Sequence, residues 1–126
     1  MFKFSKTAGV ELVDALYNAS AEVLERFNKE VRPTIAQELD DREIKMIHGS
    51  IVDIDFSNVD IVFMNSTCFQ EDLMLAMEEP LSKLKPGSKV ITLSKTLRSP
   101  QFEQYKQQMF EFSWGQATGF YHRKIS

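Results

Sequence analysis

Three short stretches carry residue types, in an order, that suit ligand chemistry. Gly9-Val10-Glu11 puts a carboxylate at the end of an apolar run, where its two oxygens could accept both hydroxyls of a ribose. His48-Gly49-Ser50-Ile51 sets a small hydroxyl residue beside an apolar one, a pairing that can edge and stack a flat ring. Asn65-Ser66-Thr67-Cys68-Phe69 follows the most apolar strand candidate, Val59 to Met64, with a knot of polar side chains. In an open α/β sheet, ligands sit outside the carboxyl ends of the parallel strands, where the strand order reverses. Each stretch is placed at such an end.

Each stretch also has an ordinary structural reading. A glutamate beside a helix start is favoured by the helix dipole, and Asn, Ser or Thr ahead of a helix can cap its free amides. His48 and His122 have no Cys, Asp or Glu at ligand spacing and read as ordinary strand residues, so no metal site is expected. Cys68 reads as a small, half-buried hydrophobe. Met64, Met74 and Met77 fall at core positions, and the carboxylates between Asp53 and Asp60 read as a solvated turn.

The elements that must position these residues follow from periodicity and punctuation. Thr7 to Leu12 is a short strand; Leu16, Ala19, Val23, Leu24 and Phe27 then recur at helical spacing within a helix from Val13 to about Lys29. Pro33 ends that pattern, and Thr34 to Arg42 reads as a connector. Ile44, Met46 and Ile47 form a second strand, which Gly49 breaks. Val59 to Met64 has the near-continuous apolar character of a central strand covered on both faces. A second helix spans Phe69 to Leu84, with Pro80 forcing a kink or a fresh helical turn. Lys85-Pro86-Gly87-Ser88 has Pro and Gly where a type II turn wants them, and Val90, Ile91 and Leu93 form the next strand. Ser99-Pro100 reads as the N-cap and first residue of a short helix to about Lys106. Two aromatic-rich strands, Met109 to Trp114 and Ala117 to Arg123, then close the chain as a hairpin turning at Gly115 and Gln116. The alternation predicts an α/β fold with a mostly parallel sheet and a C-terminal antiparallel hairpin. The strand ending at Glu11 is expected beside the one ending at His48.

The chain has 126 residues, 43% hydrophobic and 26% charged, enough apolar content for one globular domain with a real core. A net charge of -3 argues against nucleic-acid binding through the chain's own field, which needs clustered Lys and Arg. One cysteine excludes an internal disulfide framework and fits a reducing compartment. No uncharged run approaches the roughly 18 residues of a membrane span.

Five motifs taken in order resemble a known family. They are GVEL at Gly9 to Leu12, HGSI at His48 to Ile51, VFMNSTCF at Val62 to Phe69, LKPG at Leu84 to Gly87 and LSK at Leu93 to Lys95. Their order and approximate spacing are similar to the class I S-adenosylmethionine-dependent methyltransferases. Within that class they are most similar to the nucleosomal histone-lysine methyltransferase family called disruptor of telomeric silencing. Its members carry a G-[IV]-E strand end, an H/R-G-D-F loop, an N-x-x-x-F strand exit, an L-K-x-G turn and a following S-K.

The resemblance covers nearly the whole chain. It implies one partial methyltransferase-like domain over residues 1–126, with a truncated Rossmann-like sheet and S-adenosyl-L-methionine as cofactor. By it, Glu11 would hold the ribose hydroxyls, Ser50 and Ile51 would flank the adenine, and Asn65 would line the place where methyl donor and acceptor meet. Ser50 stands where the family has an acidic residue, so a hydroxyl replaces a carboxylate contact to the adenine amino group. The family places a strand, a glycine-rich loop and a helix ahead of its GVEL, and no GxGxG occurs in this sequence. The chain therefore reads as a fragment of a histone-lysine methyltransferase, inactive alone. The alternatives are a non-catalytic binding module or pseudo-enzyme, or an assembly in which another chain supplies the strand. The strands ending at Glu11 and Asn65 are expected either to pair directly or to leave two unsatisfied edges. A histone or nucleosome partner, engaged through segments outside these residues, and a nuclear rather than cytoplasmic address follow from the resemblance alone.

Overall fold

Pairing between residues far apart in sequence, not local propensity, organises the chain. The structure is a computed structural model that describes residues 4–35 and 42–126. The expected connector from Thr34 to Arg42 lies largely outside those residues. The chain divides into two compact units, residues 1–53 and 54–126.

In the first unit, β1 (Lys6–Glu11) and β2 (Glu43–His48) pair in parallel, with Glu11 opposite His48. A parallel pair requires a crossover connection, and α1 (Asp14–Arg26) lies within it. Asp14 in its first turn and Arg26 in its last match the helix dipole. Beyond Arg26 the helix widens into a π turn at Phe27–Val31 and ends in a 3-10 turn at Arg32–Thr34 around Pro33. The expected apolar stripe is only partly covered. Leu24 and Phe27 are half-buried, whereas Leu16 is 57% and Val23 67% exposed. A helix lying on two strands has a surface too narrow to cover the whole stripe.

The second unit holds β3 (Ile61–Met64), α2 (Glu71–Ala76), α3 (Glu78–Ser82), β4 (Lys89–Leu93), β5 (Phe102–Phe112) and β6 (Gly115–Lys124). Its sheet order is β3-β4-β6-β5, with β3 and β4 parallel and the rest antiparallel. Flanked on both sides, β4 is the strand sealed on both faces: Val90, Thr92 and Leu93 are all but inaccessible. That role was expected of Val59 to Met64. β3 instead lies at its sheet's edge, with Val62 and Met64 buried while Ile61 and Phe63 are exposed. β1 belongs to the two-stranded sheet of the first unit and β3 to the four-stranded sheet of the second.

Pro80 does break the second helix. It has no N–H to return to the Ala76 carbonyl four residues back, so α2 stops at Ala76 and α3 starts afresh at Glu78. Met77 at the break, together with Leu81 and Leu84, is buried in the core of this unit. The short helix expected from Ser99 to Lys106 is a misreading. Ser99 does accept a hydrogen bond from the Gln101 amide at 3.3 Å, but the chain then runs extended through β5. β5 is an edge strand, so its polar run Glu103-Gln104-Tyr105-Lys106-Gln107-Gln108 is solvated without needing a helix. Phe112 pairs with Gly115, so the hairpin turns at Ser113 and Trp114, two residues ahead of the expected place.

At the turn into β4, Gly87 has φ +90°, the Ser88 amide bonds the Lys85 carbonyl at 3.0 Å, and the Gly87 amide bonds the Lys124 carbonyl at 2.8 Å. This is the expected type II turn, docked on β6. Gly87→Ala should therefore lower the unfolding free energy by about 1 kcal/mol, the cost of a Cβ in left-handed backbone. Gly49→Ala, with no neighbour within 4 Å of the added carbon and no positive φ, is the matched control. Denaturant midpoints of the two variants check the difference.

Candidate functional site

Where β1 ends, the chain must turn out of the sheet into α1, and the side chain of Glu11 straps that turn. Its Oε1 accepts the Val13 amide at 3.0 Å, and its backbone carbonyl accepts the Gly49 amide at 3.0 Å. The helix-start reading thus holds for one carboxylate oxygen, and Oε2 makes no hydrogen bond within the described residues. Past Gly49, the Ser50 carbonyl accepts the Asp53 amide at 3.1 Å, which winds Ile51–Asp53 into a 3-10 turn. Both Ser50 and Ile51 are half-buried. The parallel pair therefore brings Glu11 and the Ser50-Ile51 turn to one carboxyl edge. His48 is less ordinary than its spacing suggests: Nε2 lies 2.7 Å from Asp14 Oδ1, and its ring stacks on Tyr17 with centroids 4.7 Å apart.

In the second unit, the polar knot after β3 divides into parts with different jobs. Asn65 is exposed and its side chain makes no hydrogen bond within the described residues. Ser66 is fully buried; its hydroxyl donates to the Leu93 carbonyl at 2.7 Å and accepts the Leu93 amide at 3.1 Å. Thr67 Oγ1 lies 3.1 Å from Ser94 Oγ. None of the three caps a helix, because α2 starts five residues after Ser66 with Gln70 at its N-cap. Cys68 is exposed, not half-buried.

The segment leaving β4 is tightly held. Ser94 has φ +64°, its amide bonds the Thr118 carbonyl at 2.8 Å, and the Thr92 hydroxyl donates to the Lys95 carbonyl. His122, 1% exposed, faces this segment from β6. Its Nε2 accepts the Leu97 amide at 3.2 Å and lies 2.9 Å from Thr96 Oγ1, while Nδ1 lies 3.1 Å from the Val90 carbonyl. The Leu97 amide is a fixed donor, so Nε2 must be bare and Nδ1 must carry the proton. Burial lowers the His122 pKa, opposed by the bond to the Val90 carbonyl. Nothing in the local sequence marks this histidine. The segment also lines a cavity of about 300 Å³, together with Met74, Leu75 and the Arg98–Glu71 ion pair at 2.6 Å.

Among the described residues, no group of three or more His, Cys, Asp or Glu could hold a metal ion. No described helix is long and apolar enough to cross a membrane.

Comparison with known proteins gives this geometry its context. Residues 1–120 match the family model described as histone methylation protein DOT1. The Dictyostelium discoideum histone-lysine N-methyltransferase, H3 lysine-79 specific, is 35% identical over 108 residues, covering 78% of this chain. The match takes in 5% of that protein's length. Among solved structures, a methyltransferase from Pyrococcus furiosus superposes with a TM-score of 0.65 at 14% identity, over 96% of this chain and 64% of its own. An RNA methyltransferase from Salinibacter ruber, in complex with S-adenosyl-L-homocysteine, gives 0.64 at 11% identity, over 94% and 65%. These likenesses show the fold, the Rossmann-like α/β architecture of the class I methyltransferases.

Ser66→Ala should destabilise the protein by about 1–3 kcal/mol, because it leaves two buried backbone groups of Leu93 unpaired; equilibrium denaturation measures it. His122 binds its proton more weakly folded than unfolded, so the unfolded chain holds more protons below about pH 6.5 and stability falls with acidification there. His122→Gln should flatten that part of the stability-against-pH curve.

Proposed function

The chain belongs to the histone methylation protein DOT1 family, and from that premise we propose that it serves an S-adenosylmethionine-dependent protein-lysine methyltransferase acting on histone in the nucleus. In this reading the two units are parts of one methyltransferase-like domain over residues 1–126. The observation that supports it is the carboxyl edge of the β1–β2 pair, where the parallel register puts Glu11 opposite His48 and so near the Ser50-Ile51 turn.

The residues present fit a nucleoside. Glu11 Oε2 is left to accept a ribose hydroxyl, and Oε1 keeps a second lone pair beside its bond to Val13. Ile51 offers an apolar face to a flat ring, with the Ser50 hydroxyl at its edge. When bound, S-adenosyl-L-methionine supplies a methyl group already activated by its sulfonium, so the protein's task is alignment and exclusion of water, not strong-base catalysis. Asn65, with a free amide at the exit of β3, is suited to orienting the acceptor amine so that its lone pair faces the methyl carbon.

The test uses the full-length protein. Glu11→Ala should weaken S-adenosyl-L-homocysteine by about 2–3 kcal/mol in calorimetry, the scale of a lost charge-assisted hydrogen bond. Asn65→Ala should lower methyl transfer to nucleosomes by more than it lowers donor affinity. Unchanged donor binding in Glu11→Ala would leave Glu11 only its strap on the α1 turn. Donor binding without methyl transfer in the wild type would favour a binding module over an enzyme.

A further inference from the structure

Ser94 is the one described non-glycine residue at positive φ, and such backbone costs of order 1–3 kcal/mol unless its surroundings over-determine it. Here they do. The Ser94 amide is held by Thr118, its hydroxyl by Thr67, and the Lys95 carbonyl by Thr92. The next two residues are held by His122 alone among the buried side chains, through the Leu97 amide and the Thr96 hydroxyl. Thr96 has a single hydroxyl proton to share between His122 Nε2 and Gln104 Oε1, 2.8 Å away. The Leu97 amide is therefore the dependable half of the clamp.

This clamp stands one strand away from the proposed reaction edge. Thr67, tied to Ser94, is two residues from Asn65, and Leu97 and Thr96 line the cavity together with Met74 and Leu75. A slack 94–98 segment would change both the cavity and the strand exit that carries Asn65. Glu11, Ser50 and Ile51 belong to the other unit and are not among the residues that the clamp ties together.

Building on the function proposed above, we infer that His122 is a positioning residue for the acceptor side of methyl transfer: as a neutral imidazole it fixes the Thr96-Leu97 wall, and it has no part in holding the donor. The ring is too enclosed to meet a substrate, so its effect must pass through the segment it holds. Leucine would fill the site without an acceptor for the Leu97 amide, whereas glutamine can put an oxygen near the position of Nε2.

The experiment compares His122→Leu, His122→Gln and Thr96→Val in the full-length protein. His122→Leu should raise the KM for reconstituted nucleosomes about tenfold with the Kd for S-adenosyl-L-homocysteine unchanged, a split that separates acceptor from donor binding. Amide exchange at Leu97 should quicken while that of Val62 stays slow, and His122→Gln should restore both readings. If His122→Leu does not fold, Thr96→Val, at an exposed position, should still raise the nucleosome KM, by less, with donor affinity unchanged. A slow Leu97 amide and an unchanged KM in His122→Leu, or an equal loss of donor and acceptor binding, would overturn the inference. Failure of the wild type to methylate nucleosomes would instead overturn the functional reading and the acceptor role with it; the clamp itself would still stand or fall on the Leu97 exchange rate.

Discussion

One buried hydroxyl closes the carboxyl edge of the larger sheet. Parallel strands exchange evenly spaced hydrogen bonds, and that exchange stops when β3 ends at Met64, while Leu93 still lies inside β4. The Leu93 amide and carbonyl face the departing chain in surroundings that exclude water, and Ser66 meets both with a single oxygen. The side chain stands in for the strand that has left. Everything beyond this point takes its place from that tie: Thr67 reaches Ser94, Ser94 adopts a backbone few residues accept, and the chain is delivered to His122. Asn65 is free to face outward because its neighbour does the structural work.

The fold was legible wherever a local pattern coincided with burial. β1, β2 and β4, the Pro80 break and the type II turn at Gly87 all follow from period, punctuation and the φ that glycine permits. The errors share a cause. Val59 to Met64 reads as a two-face-buried strand because its composition is apolar, yet position in the sheet decides coverage, and β3 is an edge. Ser99-Pro100 reads as a helix start because the first residues of a polar edge strand and of a solvated helix look alike in composition. Sheet position is a long-range property that no short window contains.

The places of the candidate residues were legible for the same reason. Glu11, Ser50, Ile51 and Asn65 sit at strand ends, and strand ends can be read from sequence. The roles of their neighbours cannot. Ser66 and Thr67 read as helix caps, but their partners lie 27 residues away. His48 finds Asp14 across the parallel pair and His122 finds Leu97 across β4. A histidine's importance depends on which backbone groups lack a partner, and that is known only once the strands are paired.

The long edge strand β5 has a bearing on how the molecule behaves at high concentration. An exposed strand of eleven residues is a ready template for another chain's backbone, the route by which sheet proteins coalesce into fibrils. Two features blunt it. The register slips between Gln104 and Lys106, leaving Tyr105 bulged, which adds local twist and spoils the flatness that stacking requires. Lys106 lies over the Tyr121 ring, and Arg123 over that of Tyr105, so a strand adding here would meet positive charge. These guards cover the first half of β5. At its far end Met109, Phe112 and Trp114 are exposed, and no described Lys or Arg lies over the Phe112 or Trp114 ring, which leaves the hairpin tip as the stickiest part of the edge.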